Sequence, residues 1–355
     1  MGRQGLRIGI VGAGQVVRSR HLPGFREIPG VKVVGVCNLH RESSNRVARE
    51  FDIPRIYESW ESLVEDDTID AVLIGTWPYM HCAITLAALD AGKHVLTQAR
   101  MAMNSREAQR MLDKSREHPD LTAMIVPSPY GLVGEGFVRS LIDEGFIGIL
   151  REIHLDGLSS QLADPATPLS WRQMTKYSGF NMLNVGILYE SILRWVAPAN
   201  RVIAYASKVI PSRFDQETGK SARVGTPDSV HVLTGHEDGS VGVFRFSAVV
   251  HHGTGMSVTL YGSEGTLHYD FARDELRGAR EDNLELSRIP IPVDRRGGWN
   301  VEREFVGAVR GEQAVSHTDF LTGARYMQFT EAVARSSRHQ HPVALPLMEF
   351  SNPSL

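Results

Sequence analysis

Cysteine is nearly absent: Cys37 and Cys82 are the only two in 355 residues, and both sit in apolar stretches. No Cys/His spacing matches a metal-binding pattern, so two buried free thiols are expected, with no disulfide framework and no metal. The chain also lacks any run of roughly 18 apolar residues, which argues against a membrane span and a membrane partner. Its formal net charge is only −3 and no block of like charge occurs. Without a field to gather polyanions, no nucleic-acid partner is expected. There is no internal repeat and no low-complexity segment. The amino-terminal MGRQGLRIGIVGAG runs directly into a strand pattern, which leaves no stretch resembling a signal peptide, so a cytoplasmic location is expected.

What is present is the composition of an α/β protein, with 33 glycines and 22% charged residues. The length exceeds the usual single core, so two domains are expected. From Leu6 to Val126 apolar runs alternate with helical patterns: LRIGIV, a helix around Leu22 to Ile28, VKVVGVC, a helix from Arg41, AVLIGT, a helix from Cys82, HVLT, a helix from Ser105, and TAMIV. Near-continuous apolar strands separated by helices predict a doubly wound parallel sheet covered on both faces, over residues 1–126. Gly134 to Gly145 reads as one more helix. Beyond it come longer alternating strands, LREIHLDGL, RVIAYASKVI, DSVHVLTGHEDGSVGVFRFSAVV, MSVTLYG and GTLHYDF. These predict antiparallel hairpins in a second domain, 127–355, with one face on helices and the other free for a second copy of the chain. Thr318 to Ser336 reads as a helix, followed by an extended HPVALP.

IGIVGAGQVV places Gly12 and Gly14 between the first strand and first helix. Glycines there allow a tight turn and close approach of a pyrophosphate to the helix amino terminus, which Gln15 and Val16 open. Val17 stands where the third glycine of the dinucleotide pattern would be. The second strand ends VCNLHR, with Asn38 where an acidic residue would take the ribose hydroxyls of NAD. Asn38 removes repulsion toward a 2′-phosphate and His40 or Arg41 is able to pair with one, so NAD and NADP both remain open; the alternative is that Arg41 simply begins a solvated helix.

GKHVLTQARMAMN, residues 92–104, resembles the "GKHVLCEKPMA" loop of the glucose-fructose oxidoreductase and inositol dehydrogenase family (Gfo/Idh/MocA), with Gln98, Ala99 and Arg100 in place of Glu, Lys and Pro. GTWPYMH resembles the family's "TPNxxH" segment, with Thr76 and His81 kept and Trp77 in a position to stack on nicotinamide; the alternative is a packed aromatic and a helix-starting histidine. WRQMTKYSGFNMLNVGILYESILRW, 171–195, resembles the family's "WR…GGG…L.D.G.H..D..RW" helix and keeps Trp171, Arg172, Gly179, Leu183, Gly186, Arg194 and Trp195. Where the family has Asp, His and Asp, this chain has Asn184, Leu188 and Ser191, one helical face without titratable groups. VPSPYG, 126–131, stands where relatives have an "N.R(F/W)" run and lacks their asparagine and arginine.

The resemblance implies an N-terminal Rossmann domain binding NAD or NADP, a C-terminal α+β domain with a large, open, mainly antiparallel sheet, a carbohydrate-like or acidic small-molecule substrate, and a homodimer or homotetramer built through that sheet. It implies cofactor contacts from Gly12, Gly14, Gln15, Val16, Asn38, Thr76, Trp77, His81, Gln98, Trp171 and Arg172. It also implies the loss of the family's catalytic lysine, at Ala99, and of its helix histidine, at Leu188. Lys176 and Tyr177 are the expected replacements, Lys176 as a base if partial burial depresses its pKa, or else a solvated lysine. Arg100 and Asn184 are expected to orient substrate. With no proline at 100, the loop peptide is expected to be trans. Tyr189 and His154 read as core and sheet residues, and His251 and His252 as weak ligand candidates. Three functions stand open: an oxidoreductase, a nucleotide-retaining non-redox enzyme (lyase, aldolase or hydratase), and a catalytically silent ligand-binding or regulatory protein.

Overall fold

The computed structural model describes residues 5–350 and divides the chain into two compact units. The first runs to Pro127 and takes in Asn300–Ala324; the second covers Ser128–Trp299 and resumes at Arg325. The first unit's main segment ends at Pro127, and a segment after residue 299 returns to it.

The first unit alternates β1 (Leu6–Val11), a helix, β2 (Val31–Cys37), α2 (Arg41–Phe51), β3 (Arg55–Ile56), α3 (Trp60–Val64), β4 (Ala71–Ile74), α4 (Pro78–Asp90), β5 (His94–Thr97), α5 (Ser105–Glu117) and β6 (Ala123–Ile125). The first helix is helical from Gln15, passes through a π-helical stretch at Val17–His21 and continues as α1 (Leu22–Arg26). All six strands are parallel, in the order β3-β2-β1-β4-β5-β6. The order reverses between β1 and β4, the switch point at which such sheets open a crevice at their carboxyl ends. Ala71, Val72, Leu73 and Ile74 are all fully buried, as strands covered on both faces must be. Helix starts follow local chemistry: Pro78 opens α4, which begins four residues before Cys82, and the Asn104 side chain accepts from the Glu107 amide at 2.9 Å while Glu107 accepts from the Met103 amide at 3.0 Å.

The second unit holds α6 (Glu135–Asp143), β7 (Leu150–Leu158), α7 (Thr175–Ser178), α8 (Val185–Ile192), β8 (Ala199–Ser207), β9 (Ser212–Asp215), β10 (Lys220–Arg223), β11 (Ser229–His236), β12 (Val241–Ser247), β13 (Met256–Gly262), β14 (Gly265–Asp270), β15 (Glu275–Arg280) and β16 (Ser287–Arg288). Its sheet has nine strands in the order β16-β15-β14-β13-β7-β12-β11-β8-β17, the last being β17 (Val343–Ala344). Pairing is antiparallel except between β7 and β12. Alternation buries Leu155, Val232, Phe244 and Leu260 on one face. There Tyr189 of α8 stacks on Phe329 with ring centroids 3.6 Å apart, which makes Tyr189 a core residue. The other face exposes Ile203, Tyr205 and Leu233. His154 lies on it too, against Glu152 and Tyr261. The β9–β10 hairpin is a separate two-stranded element.

After residue 299, α9 (Val301–Val309) packs on α1 in the first unit, and α10 (Phe320–His339) starts there before continuing into the second. Cys37 and Cys82 are buried free thiols. No helix of the described residues is long and apolar enough to cross a membrane.

Candidate functional site

The turn after β1 has the conformation its glycines allow. Gly12 lies at φ +85°, and a Cβ there would sit 2.7 Å from the Thr76 amide nitrogen, so only glycine fits. At Gly14 a Cβ would meet nothing closer than the Gly75 carbonyl oxygen, 4.0 Å away. The backbone is thus bare on the side where a phosphate would approach, and the amides of the helix's first turn, from Gln15 and Val16 onward, have no acceptor inside the helix. Val17 is buried, and its close packing is made possible by Gly75, where a Cβ would lie 2.5 Å from Val17 Cγ2 and 2.2 Å from the Gly12 oxygen. The third glycine's packing role has moved across to the end of β4, a displacement the GTWPYMH segment carried in plain view.

Asn38, at the end of β2, accepts from the Ala13 amide at 2.6 Å, and its own amide donates to the buried Ser44 hydroxyl at 2.9 Å. The carboxamide oxygen therefore braces the glycine turn, and Nδ2 is the end left for a ribose hydroxyl. Arg41 begins α2 and pairs with Glu58 at 2.7 Å, both exposed, so the solvated-helix alternative describes it; His40 is exposed at the helix cap.

Beyond β4, Thr76 Oγ1 is buried with no hydrogen-bond partner, a polar atom that a bound group would satisfy. Trp77 is half-buried just before α4, 6.4 Å from the Tyr79 ring. His81 is fully buried and is a clamp for the loop: Nε2 is 2.9 Å from the Thr76 oxygen, and Nδ1 is 3.1 and 3.2 Å from the Arg100 and Met101 oxygens. Burial pushes its pKa below that of an ordinary histidine, against the pull of those carbonyls. Arg100 is buried, and the loop peptides are trans, since the one cis peptide of the described residues is Leu345–Pro346.

Gln98 follows β5, and its amide donates to the Ile74 oxygen at 2.9 Å. Its side-chain nitrogen lies 2.7 Å from His21 Nε2, and His21 Nδ1 lies 2.5 Å from Glu302 Oε1. His21 and Glu302 are both buried. Neither was expected at the site from the sequence, because 281 positions separate them and no local pattern marks α9 as a partner of the first helix. Taken together, the bare Gly14 backbone, the Asn38 donor and the unpartnered Thr76 hydroxyl fit a dinucleotide lying across the switch point.

In the second unit the remaining expected residues gather on one short stretch. Ser170 and Gln173 form a capping box around the turn Trp171–Gln173, and the Arg172 guanidinium lies 4.5 Å from the Trp171 ring centroid. Lys176, on α7, is exposed, with its amine 4.5 Å from the Tyr177 ring centroid. A hydrogen bond with Tyr177 raises the Lys176 pKa above the ordinary lysine value. The expected depression is therefore not found: the amine is exposed and its pKa lies above the ordinary lysine value, as for the solvated alternative.

Asn184 precedes α8, half-buried, and its Nδ2 donates to Met256 Sδ at 3.7 Å. Leu188 and Ser191 follow it on the same face but are fully buried. Leu188 packs so closely on Gly157 that a Cβ there would be 2.8 Å from it, and Ser191 donates to Ser128 Oγ at 2.8 Å. That face is therefore core rather than an open polar surface. Ser128 is held further by Glu190, which accepts from its amide at 3.0 Å, and by Arg194, which donates to its carbonyl at 2.9 Å and pairs with Glu190 at 2.9 Å. The Ser128–Tyr130 stretch is thus held to α8 and the residues that follow it. His251 and His252 sit exposed in a turn, and no group of described His, Cys, Asp or Glu residues is arranged to hold a metal.

Comparison with known proteins agrees with this geometry. Residues 6–125 match the model described as "Oxidoreductase family, NAD-binding Rossmann fold" and residues 137–268 the one described as "GFO/IDH/MocA C-terminal domain". Levoglucosan dehydrogenase of Pseudarthrobacter phenanthrenivorans is 26% identical over 83% of this chain and 79% of its own. A dTDP-3,4-didehydro-2,6-dideoxy-alpha-D-glucose 3-reductase of Streptomyces antibioticus is 26% identical over 93% of this chain and 97% of its own. Among solved structures, a levoglucosan dehydrogenase complexed with NADH and L-sorbose superposes with a TM-score of 0.85 at 22% identity, covering 97% of this chain and 100% of that one. With both of its halves matched, the chain belongs to the Gfo/Idh/MocA family of oxidoreductases.

Proposed function

We propose that the protein is an NAD-linked oxidoreductase acting on a sugar, a polyol or a related acid. The observation that carries this reading is the nucleotide turn, in which Gly14 is left open, Gly12 is conformationally obligatory and Asn38 is braced with a donor to spare. The carbohydrate substrates in the names of the relatives support the substrate class. NAD is favoured over NADP because Arg41 is paired with Glu58 and Asn38 presents a neutral amide donor suited to a ribose hydroxyl.

A bound nicotinamide supplies or accepts the hydride. The chain's own residues then have limited tasks. The first-turn amides and Asn38 hold the dinucleotide, Trp77 offers a face for the nicotinamide, and in the second unit Lys176, Tyr177 and Asn184 offer donors to hydroxyl or carboxylate oxygens of substrate. Ala99 and Leu188 carry no titratable group, so the alcohol proton is left to water. The cost of lacking a placed general base is ~10²–10⁴ in rate, and slow turnover is the expected behaviour.

The same two residues favour a second reading, a nucleotide-retaining non-redox enzyme such as a lyase or hydratase. A silent ligand-binding protein is the third. The test is an NADH and NADPH titration by tryptophan fluorescence, followed by a panel of levoglucosan, myo-inositol, sorbose and sugar acids with product analysis. Selective NADH binding and NADH formation support the first reading, a product without net NADH the second, and ligand binding without product the third. Absence of nucleotide binding removes the first two.

A further inference from the structure

We propose that Glu302, acting through His21, orients the Gln98 carboxamide against the nicotinamide half of the bound dinucleotide, and that the absence of charge at position 98 sets the preference between oxidised and reduced nucleotide. The inference rests on the nucleotide-binding reading above and adds to it two positioning residues and a source of redox-state selectivity.

The location follows from topology. Asn38 marks the end of β2, on one side of the switch point, where the ribose of the adenosine half is taken. A dinucleotide crossing that point puts its other half over the ends of β4 and β5, and Gln98 is the first residue after β5. Behind Gln98 the polar chain is fully built. The π-helical stretch Val17–His21, a geometry concentrated at functional sites, carries the buried His21 ring. Gly24, one turn on, has no side chain, and a Cβ there would lie 2.8 Å from Glu302 Oε2. That clearance lets the carboxylate of α9 reach the histidine.

The donors then fall into order. With Nδ1–H donating to the carboxylate, Nε2 is the ring's acceptor, and the Gln98 amide nitrogen donates to it. The amide is thereby fixed with Oε1, which has no hydrogen bond among the described residues, as its free end. A buried carboxylate–imidazole pair is poor evidence of stabilisation, since desolvation offsets most of its attraction. A chain of buried groups ending on a half-exposed amide at the carboxyl edge of the sheet is suited instead to orientation.

Charge supplies the selectivity. Oxidised nicotinamide is a cation and the reduced ring is neutral. A carboxylate at 98 would favour the cation, whereas the amide presents only a dipole. The change from amide to carboxylate within several ångströms of the ring is expected to shift the affinity ratio about tenfold.

The test is calorimetric titration of the full chain and of Gln98→Glu, His21→Asn and Glu302→Gln with NADH, NAD and ADP-ribose, which lacks nicotinamide, together with melting temperatures. Gln98→Glu is expected to shift the NAD-to-NADH affinity ratio toward NAD about tenfold. The other two variants are expected to weaken NADH roughly three- to tenfold and to leave ADP-ribose within twofold. Parallel weakening of ADP-ribose, or NADH affinity unchanged in all three, would overturn the proposal and leave a purely structural pair. Should His21→Asn and Glu302→Gln fail to fold, an unchanged ratio in Gln98→Glu alone overturns it. A wild-type protein that binds ADP-ribose without gaining from the nicotinamide also overturns it, whereas one that binds no nucleotide removes the functional reading first.

Discussion

At Gly14 and Gly75 the same substitution to alanine is expected to give opposite results, because the two glycines serve different ends. A Cβ on Gly14 enters open space, so Gly14→Ala should melt with the wild type and lose at least tenfold in NADH affinity. A Cβ on Gly75 would be 2.2 Å from the Gly12 oxygen, so Gly75→Ala should cost roughly 2–4 kcal/mol of stability, read by denaturant unfolding. Residues whose role depends on backbone geometry were legible in sequence at Gly12 and Gly14, where the spacing is local. For Lys176 the sequence left a base and a solvated lysine both open, because its pKa depends on burial and nothing in TKYS says that the lysine stays in water; its exposure fits the second. Asn184, Leu188 and Ser191 were correctly placed on one face, but the sequence did not tell that Gly157 and Ser128 close that face.

At the scale of elements, the loop after β5 is held to the end of β4 by His81, and that clamp is sensitive to acid. Burial lowers the His81 pKa in the folded protein, so the unfolded chain takes up the proton at higher pH than the folded one. The stability that the neutral ring contributes is complete above about pH 6.5, the ordinary histidine value, and is lost as pH falls through and below it. Melting temperature should fall between pH 8 and pH 5.5, and His81→Gln should melt lower at pH 8 with a shallower dependence. His94, His236 and His268 are shifted in the same direction by burial, so the dependence is reduced in the variant rather than abolished. A slope unchanged in His81→Gln would show that the clamp does not titrate. Elements were the most legible level, since apolar runs and helix caps are local signals. The returning helix α9 was not, because its partner lies far back in the chain and its amphipathic pattern does not name the surface it covers.

For the whole molecule, the free face of the nine-stranded sheet sets the expected assembly. Leu233 is 54% exposed, and its register partners are Ile203 on β8 and Val243 on β12. An apolar stripe on an open sheet favours covering by a second copy of the same face. The protein is predicted to be a dimer or tetramer through it, and Leu233→Asp to shift the mass seen by light scattering toward the monomer without loss of secondary structure. An unchanged mass would place the interface elsewhere. Two units were readable from length and from the change in strand texture near residue 127. The return of Asn300–Ala324 to the first unit was not, because it follows from packing rather than from composition.

The central claim is that this chain moves a hydride with Ala99, which carries no titratable group, in the loop after β5. The most direct measurement supplies a sugar or polyol from the panel, deuterated at the carbon to be oxidised, together with NAD, and determines whether deuterium appears in the reduced nicotinamide. Deuterated NADH formed in step with the oxidised product is the predicted result. Substrate converted with no deuterium in the nucleotide and no net NADH would contradict the claim and make the protein a nucleotide-retaining non-redox enzyme.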